Sequence, residues 1–253
     1  MASYTDKEIM AISAGRLIGQ NDVLFAGTGV SMLAATVAKR VHAPNAVVFF
    51  ETGGIDPSLD ELPLAVADPR VMYGSCVNSG LIEAFAILGH RKLRTVAFLG
   101  AAQIDSFGNL NSTVIGDYNR PKVRFPGSGG GCDAASLAHD TIIFMQHEPR
   151  RFVNELDYFT SPGWLRGGES RMEAGYTRGG PMAVVTDLGV LKFHSKTKRM
   201  YLAECYPGVS PEKIIENTSF ELDVSQAKET RAPDERELKV LREEVDPQRL
   251  ILG

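Results

Sequence analysis

Five continuous apolar runs constrain this 253-residue chain more than any other feature. They are VLFA within Asp22 to Ala26, AVVFF from Ala46 to Phe50, TVAFLG within Leu93 to Leu99 and beyond, TIIFM from Thr141 to Met145, and MAVVT from Met182 to Thr186. None alternates apolar with polar, as a strand wetted on one face would. A strand buried on both faces reads as these do, and such strands belong to sheets covered by helices. Helical stretches lie between them. Residues 5–20 begin with Thr5 and carry Glu8 three positions on, a capping box, with Ile9, Ile12 and Leu17 in helical period. Ser31 to Val41 is a second helix. Alternation of this kind predicts an α/β fold with a mainly parallel open sheet and helices on both faces.

Two later runs, Val190 to Phe193 and Met200 to Ala203, flank the polar turn HSKTKR and read as a hairpin. Ser161 to Pro181 is rich in glycine and polar residues and reads as a long surface loop or a partner-facing excursion. DERELKVLREEV, near the end, reads as an amphipathic helix. With no repeat and no low-complexity tract, residues 1–253 are read as a single domain.

Composition excludes several classes. Hydrophobic residues at 43% and charged residues at 23% place the chain among ordinary globular proteins. A formal net charge of −4 leaves no electrostatic footprint for nucleic acid. The N-terminal stretch lacks the basic start and apolar core of a signal peptide, and no apolar run is long enough for a membrane span. Cys76, Cys132 and Cys205 are odd in number and without CxxC pairing, against a disulfide framework and against zinc. A reduced, cytoplasmic protein without a metal is expected.

Four stretches can carry chemistry. GTGVS, from Gly27 to Ser31, follows a strand and opens a helix, where phosphates often sit; it departs from GxGxxG at Met32, so a tight connection is the preferred reading. FPGSGGGCD has glycine at Gly127, Gly129, Gly130 and Gly131 around Ser128. Such a loop offers bare backbone N–H groups to an anion or a developing oxyanion, and a ligand loop is preferred over a flexible turn. GAAQIDSFGNLNST places Gln103, Asp105, Asn109 and Asn111 after an apolar strand; turn-making and ligand-binding readings stand level there. In VVFFETGGIDP the chain runs from buried β-formers into Glu51, Thr52, Gly53 and Gly54. A carboxylate at a strand end serves as base, nucleophile or structural cap, and the residues alone leave these open. Asp56 and Asp60 read as helix-start residues. His42, His90, His139, His147 and His194 show no metal spacing and read as structural or exposed.

Together, GTGVSMLAATVAKRVHAPN, FFETGGIDP, AFLGAAQIDSFGNLNSTVIGDYNRPKVRFPGSGG, TIIFMQHEPRRFVNELDYFTSPGW, VVTDLGVLKF and TKRMYLAECYPGVSPEKIIENTSFELDV resemble the β subunits of family I CoA-transferases, in the glutaconate CoA-transferase branch. The resemblance covers most of the chain. It implies an α/β fold of that family and, as partner, a separate α subunit, in a heterodimer or a multiple of it. It implies transfer of CoA between carboxylic acids, dicarboxylates above all, with the CoA thioester as substrate and no cofactor. The family's reactive glutamate falls on Glu51, and its glycine loop on Gly127 to Gly131, close to that carboxylate in the family's fold. Gln103 is a candidate for holding the glutamate or a substrate carboxylate, and Thr52, Gly53 and Gly54 for shaping the surroundings. The family's common wording at this point is Ser-Glu-Asn-Gly or Glu-Ser-Gly, so the neighbours here differ while the glutamate stays. Other branches of the family open rings or cleave C–C bonds, or decarboxylate, and tend to replace this glutamate; an acyl-CoA hydrolase or C–C hydrolase subunit on the same scaffold is the alternative.

Overall fold

The computed structural model describes residues 3–176 and 178–253. The sequence predicts one domain; the chain forms two compact units, Met1–Phe98 with Ala232–Gly253, and Leu99–Arg231.

In the first unit, α1 (Asp6–Gly15) starts at the expected capping box. Glu8 N donates to Thr5 Oγ1 at 3.3 Å, and Thr5 N donates to Glu8 Oε2 at 2.8 Å. Strand β1 (Val23–Phe25) leads through α2 (Val30–Val41) to β2 (Val47–Phe49). Helices α1 and α2 approach closely because small residues meet: a Cβ on Gly15 would lie 3.1 Å from the Ala34 carbonyl oxygen. The chain then forms the short strands β3 (Gly54–Ile55) and β4 (Val77–Asn78), helix α3 (Leu81–Leu88), and β5 (Thr95–Gly100). Strand β1 pairs in parallel with both β2 and β5, while β3 and β4 add antiparallel pairs at the edge. Leu24, Val48 and Val96 are fully buried, as the continuous apolar runs require.

The last segment returns to this unit. Residues Glu235–Lys239 are α-helical behind an Asp234/Glu237 capping box, and Val240–Val245 widens into a π-helix where one regular amphipathic helix is expected. Two ion pairs fix it: Glu237 accepts from Arg16 Nε at 2.8 Å, and buried Glu8 accepts from Arg242 Nε at 2.6 Å. Asp56 and Asp60 begin no helix. Asp56 sits at φ 51 and pairs with Lys39, and the first helical turn downstream is Pro69–Val71, capped by Asp68.

The second unit opens with two small antiparallel pairs, β6 (Gln103–Ile104) with β7 (Leu110–Asn111), and β8 (Val114–Gly116) with β9 (Pro121–Arg124). Helix α4 (Gly131–Leu137) and β10 (Asp140–Met145) follow. After α5 (Ser170–Glu173) come β11 (Pro181–Thr186), β12 (Gly189–Phe193), β13 (Met200–Cys205), α6 (Pro211–Glu216) and β14 (Lys228–Glu229). Strands β10 and β11 pair in parallel; β12 and β13 form the expected antiparallel hairpin. Ile104, Ile143, Phe152, Val184, Leu191 and Leu202 are at the centre of the core. The α/β class thus holds: β1, β2 and β5 in the first unit and β10 with β11 in the second pair in parallel, β2–β3–β4 and β11–β12–β13 add antiparallel pairs, and β14 joins β13 in parallel.

Ser161 to Pro181 is packed rather than loose. Trp164 Nε1 donates to the Pro181 carbonyl at 3.0 Å. The buried guanidinium of Arg171 donates to the carbonyls of Gly163 and Ala135, both at 2.8 Å, and lies over the Tyr176 ring at 4.8 Å. Burial lowers its pKa to about 10.

His147 is structural, as expected. Its ring stacks on Phe152 at 4.0 Å and sits between Thr186 Oγ1 (3.2 Å) and Thr218 Oγ1 (2.9 Å). Burial lowers its pKa from 6.5 to about 4. The unfolded chain therefore binds a proton here between about pH 4 and 6.5 that the folded chain refuses, so stability rises with pH through that window. The contribution is complete above pH 6.5 and lost as pH falls to about 4, a difference of about 3 kcal/mol. Thermal unfolding against pH should show a steeper acid decline for the native chain than for His147→Gln. Parallel curves would contradict this.

Candidate functional site

Glu51 occupies a tight turn between β2 and β3. Gly53 N donates to the Phe50 carbonyl at 3.0 Å, and Phe50 N to the Gly54 carbonyl at 3.0 Å, which places Glu51 and Thr52 at the turn's corners. The two glycines that follow have a steric cause. Gly53 has φ +101, and a Cβ there would lie 2.0 Å from the Ser79 carbonyl oxygen. On Gly54 a Cβ would lie 2.0 Å from the Val71 carbonyl oxygen. Ser79 locks the arrangement, its N–H donating to the Gly53 carbonyl at 2.9 Å and its Oγ to the same oxygen at 3.2 Å. The glycines let the turn press against the chain's own backbone, and their bare faces are filled by it. Glu51 itself is half-buried, and among the described residues no hydrogen bond or ion pair engages its carboxylate. Beside it, Thr52 Oγ1 is buried without a hydrogen-bond partner among those residues. A carboxylate held on a rigid turn and left unpaired is available to react. A structural cap would be spent on backbone N–H groups.

In the second unit the glycine loop leaves β9 and enters α4. Its base is pinned: Gly127 N donates to the Ser112 carbonyl at 3.2 Å, and Ser112 Oγ to the Gly127 carbonyl at 2.9 Å. Gly131 N donates to the Ser128 carbonyl at 2.7 Å. The N–H groups of Ser128, Gly129 and Gly130 have no acceptor among the described residues. Gly127 (φ +97) and Gly129 (φ +48) adopt backbone that glycine favours, with open space where a Cβ would be. The loop borders a groove of about 710 Å³, whose walls include Ala101, Ala102, Val123, Phe125, Gly127 and Ser128.

Gln103 is buried and engaged at both ends. Its Oε1 accepts from Asn111 Nδ2 at 2.7 Å and from Asp157 N at 3.1 Å, while its Nε2 donates to Asp157 Oδ2 at 3.1 Å. It braces the β6–β7 pair. Asp105 accepts from Phe107 N, Asn109 N and Asn109 Nδ2; burial pushes its pKa up, and these hydrogen bonds oppose the shift. Asn109 Oδ1 accepts from Gly163 N at 2.8 Å and Leu165 N at 3.1 Å, stitching in the Trp164 loop. The turn-making reading describes this polar group. GTGVS is likewise a connection, with Gly29 capping α2 at φ +87 and Ser31 Oγ bonded back to the Gly27 carbonyl at 3.2 Å.

Residues 7–217 match the sequence model of the Coenzyme A transferase family. The chain belongs to that family. Among proteins similar to this CoA-transferase family member is the B subunit of glutaconate CoA-transferase from Acidaminococcus fermentans, 48% identical over 97% of this chain and 94% of that protein. The B subunit of 3-oxoadipate CoA-transferase from Pseudomonas knackmussii is 38% identical over 96% of this chain and 94% of its own length. The crystal structure of the Acidaminococcus fermentans glutaconate CoA-transferase superposes with a TM-score of 0.96, at 46% identity, over 99% of this chain and 98% of that one.

Two features of this family member escape the sequence. One is Ser79, which locks the Glu51 turn from 28 positions downstream of it. The other is the pair Arg150 and Arg151 at the wall of the groove, which no pattern in the sequence singles out. The described residues hold no cluster of His, Cys, Asp and Glu suited to a metal, and no helix long and apolar enough to cross a membrane.

Proposed function

We propose that this chain is the β subunit of a heteromeric CoA-transferase that moves CoA between carboxylic acids, dicarboxylates being the substrate class, with Glu51 as the nucleophile. The observation that carries this is the unpaired Glu51 carboxylate on its locked turn. The two relatives, named as B subunits of transferases for glutaconate and 3-oxoadipate, support the substrate class and a partner α subunit.

The chemistry needs no metal and no proton transfer. A Glu51 oxygen attacks the thioester carbonyl; the tetrahedral oxyanion collapses, the C–S bond breaks, and CoA leaves as thiolate from a mixed anhydride. With a thiol pKa near 8.5, that thiolate needs no acid to depart. It then attacks the glutamyl carbonyl, releasing the donor acid and leaving a glutamyl–CoA thioester. The acceptor carboxylate runs the sequence in reverse, so the kinetics are ping-pong. Charge passes from oxygen to sulfur and back, and the neutral, buried His147 has no part in it. The N–H groups of Ser128, Gly129 and Gly130 are open to an anion, and a preorganised donor of this kind aimed at an oxyanion contributes about 3 kcal/mol. Gln103, Gly53 and Gly54 act through structure, holding the β6–β7 pair and the nucleophile's turn.

Dependence on acceptor tests the reading. The complex with its partner subunit, given an acyl-CoA alone, should release at most one equivalent of the donor acid and no free CoA, the CoA staying on the enzyme; adding a dicarboxylic acid should start continuous exchange. Steady CoA release without an acceptor would favour a hydrolase and overturn the transferase.

A further inference from the structure

Residues 71–90, VMYGSCVNSGLIEAFAILGH, hold a single Asp, Glu, Lys or Arg, which is Glu83. A stretch so poor in charge belongs in a core. Here only Val71, Ala84 and Leu88 are buried. Helix α3 carries most of the mismatch. Its sequence, LIEAFAIL, is apolar at every position but one, so it has no polar face to turn to water. Its inner side packs on the unit's own core: Ala84 and Leu88 are buried, and the Phe85 ring lies 5.5 Å from that of Phe25 in β1. Its outer side leaves Leu81 57% and Ile82 79% exposed. Strand β4 adds Val77, and among the described residues it pairs with β3 alone. Tyr73, shortly before β4, is exposed as well. A large side chain covers about 150–250 Å², so these four present on the order of 500 Å² of surface. That is near the upper end of what a monomer leaves bare, and more than half of the roughly 800 Å² that each partner buries in a standard interface.

We infer that the surface formed by β4 and α3 is where the partner α subunit docks. The assignment rests on the heteromeric transferase reading above and adds the place of contact. Charge decides between that partner and a second copy of this chain. The surface borders the nucleophile's turn, since Ser79, in the link from β4 to α3, is the residue that holds the Gly53 carbonyl. Its charges are therefore Glu83 and the adjoining Glu51, both acidic. A two-fold contact would set this surface against itself, acid to acid. A different subunit can cover the apolar side chains and meet the carboxylates with neutral or basic groups. Seated there, it flanks the Glu51 turn, so that assembly and completion of the site are coupled.

Assembly is read without turnover. This chain and the partner subunit are produced together, and dissociation of the complex on dilution is followed by analytical ultracentrifugation. Ile82→Glu should raise the dissociation constant about thirtyfold or more, because it places an unpaired carboxylate in an apolar contact. Its circular dichroism should match the native chain's, since Ile82 is already exposed. Ile82→Val should assemble as the native chain does. Cys76, exposed and next to Val77 in the chain, gives a reading that needs no substitution. It should react with a bulky maleimide once dilution has separated the subunits, and lose most of that reactivity in the complex. Should Ile82→Glu fail to fold, the Cys76 rate alone decides. Unaltered assembly of folded Ile82→Glu, or Cys76 equally reactive in both states, overturns the inference and leaves the transferase reading standing. An Ile82→Glu variant that splits a dimer of this chain and leaves the heteromer whole gives the surface to a second copy and also overturns it. A native chain that forms no complex with an α subunit overturns both.

Discussion

Glu51→Ala is expected to abolish CoA exchange while leaving the protein folded and assembled. Loss of a covalent nucleophile costs on the order of 10⁴-fold or more in rate, because the remaining groups can bind the thioester but cannot take its acyl group. The stability effect should be small, within about 0.5 kcal/mol, since the carboxylate is half-buried and makes no hydrogen bond or ion pair among the described residues. A large loss of activity with an unchanged melting temperature is therefore the signature. Wild-type exchange rates in Glu51→Ala would remove the nucleophile from the account and leave this chain only shaping its partner's site.

Gly53→Ala is expected to do the reverse, acting first on stability. The new Cβ would meet the Ser79 carbonyl oxygen at 2.0 Å and its carbon at 2.5 Å, and both belong to backbone that cannot swing aside. A φ of +101 adds strain for any L side chain. The cost should be roughly 3 kcal/mol or more. For a chain of this size that lowers the melting temperature by about 6–12 °C. Activity should fall too, because relieving the clash shifts the turn that holds Glu51. Gly29→Ala is the control. Its φ of +87 is similar, but nothing lies within 4 Å of the added Cβ, so only the backbone strain is felt, about 1 kcal/mol. Similar melting temperatures for the two variants would mean that contact with Ser79 does not hold the turn.

The difference between these variants marks what could be read from residues in order. Val47–Phe49, Thr95–Gly100 and Asp140–Met145 announce themselves because strands buried on both faces are apolar throughout. The Thr5 capping box and the hairpin after Thr186 are local patterns and equally legible. Gly53 and Gly54 stand out in sequence too, but their cause does not. In sequence they are candidates for shaping the surroundings of Glu51, and it takes the fold to show the backbones of Ser79 and Val71 pressed against them. Gln103 is marked by its place after an apolar strand; its partners, Asn111 and Asp157, lie 8 and 54 residues away. Strands of two residues, such as Gly54–Ile55 and Val77–Asn78, are too short to show a period. Arg171 makes the same point most sharply. It anchors a glycine-rich segment through carbonyls of Ala135, Pro162, Gly163 and Arg178, and a carbonyl carries no mark of identity in a sequence.

The glutamyl–CoA thioester is a covalent intermediate and can be weighed. The complex with its partner subunit is incubated with a panel of acyl-CoA thioesters in the absence of acceptor, quenched, digested and examined by mass spectrometry for the peptide carrying Glu51. CoA is expected on that peptide as a thioester, formed by the thioesters that support exchange and absent in Glu51→Ala. A peptide that stays unmodified while free CoA accumulates in solution would contradict it and make Glu51 the base of a hydrolase.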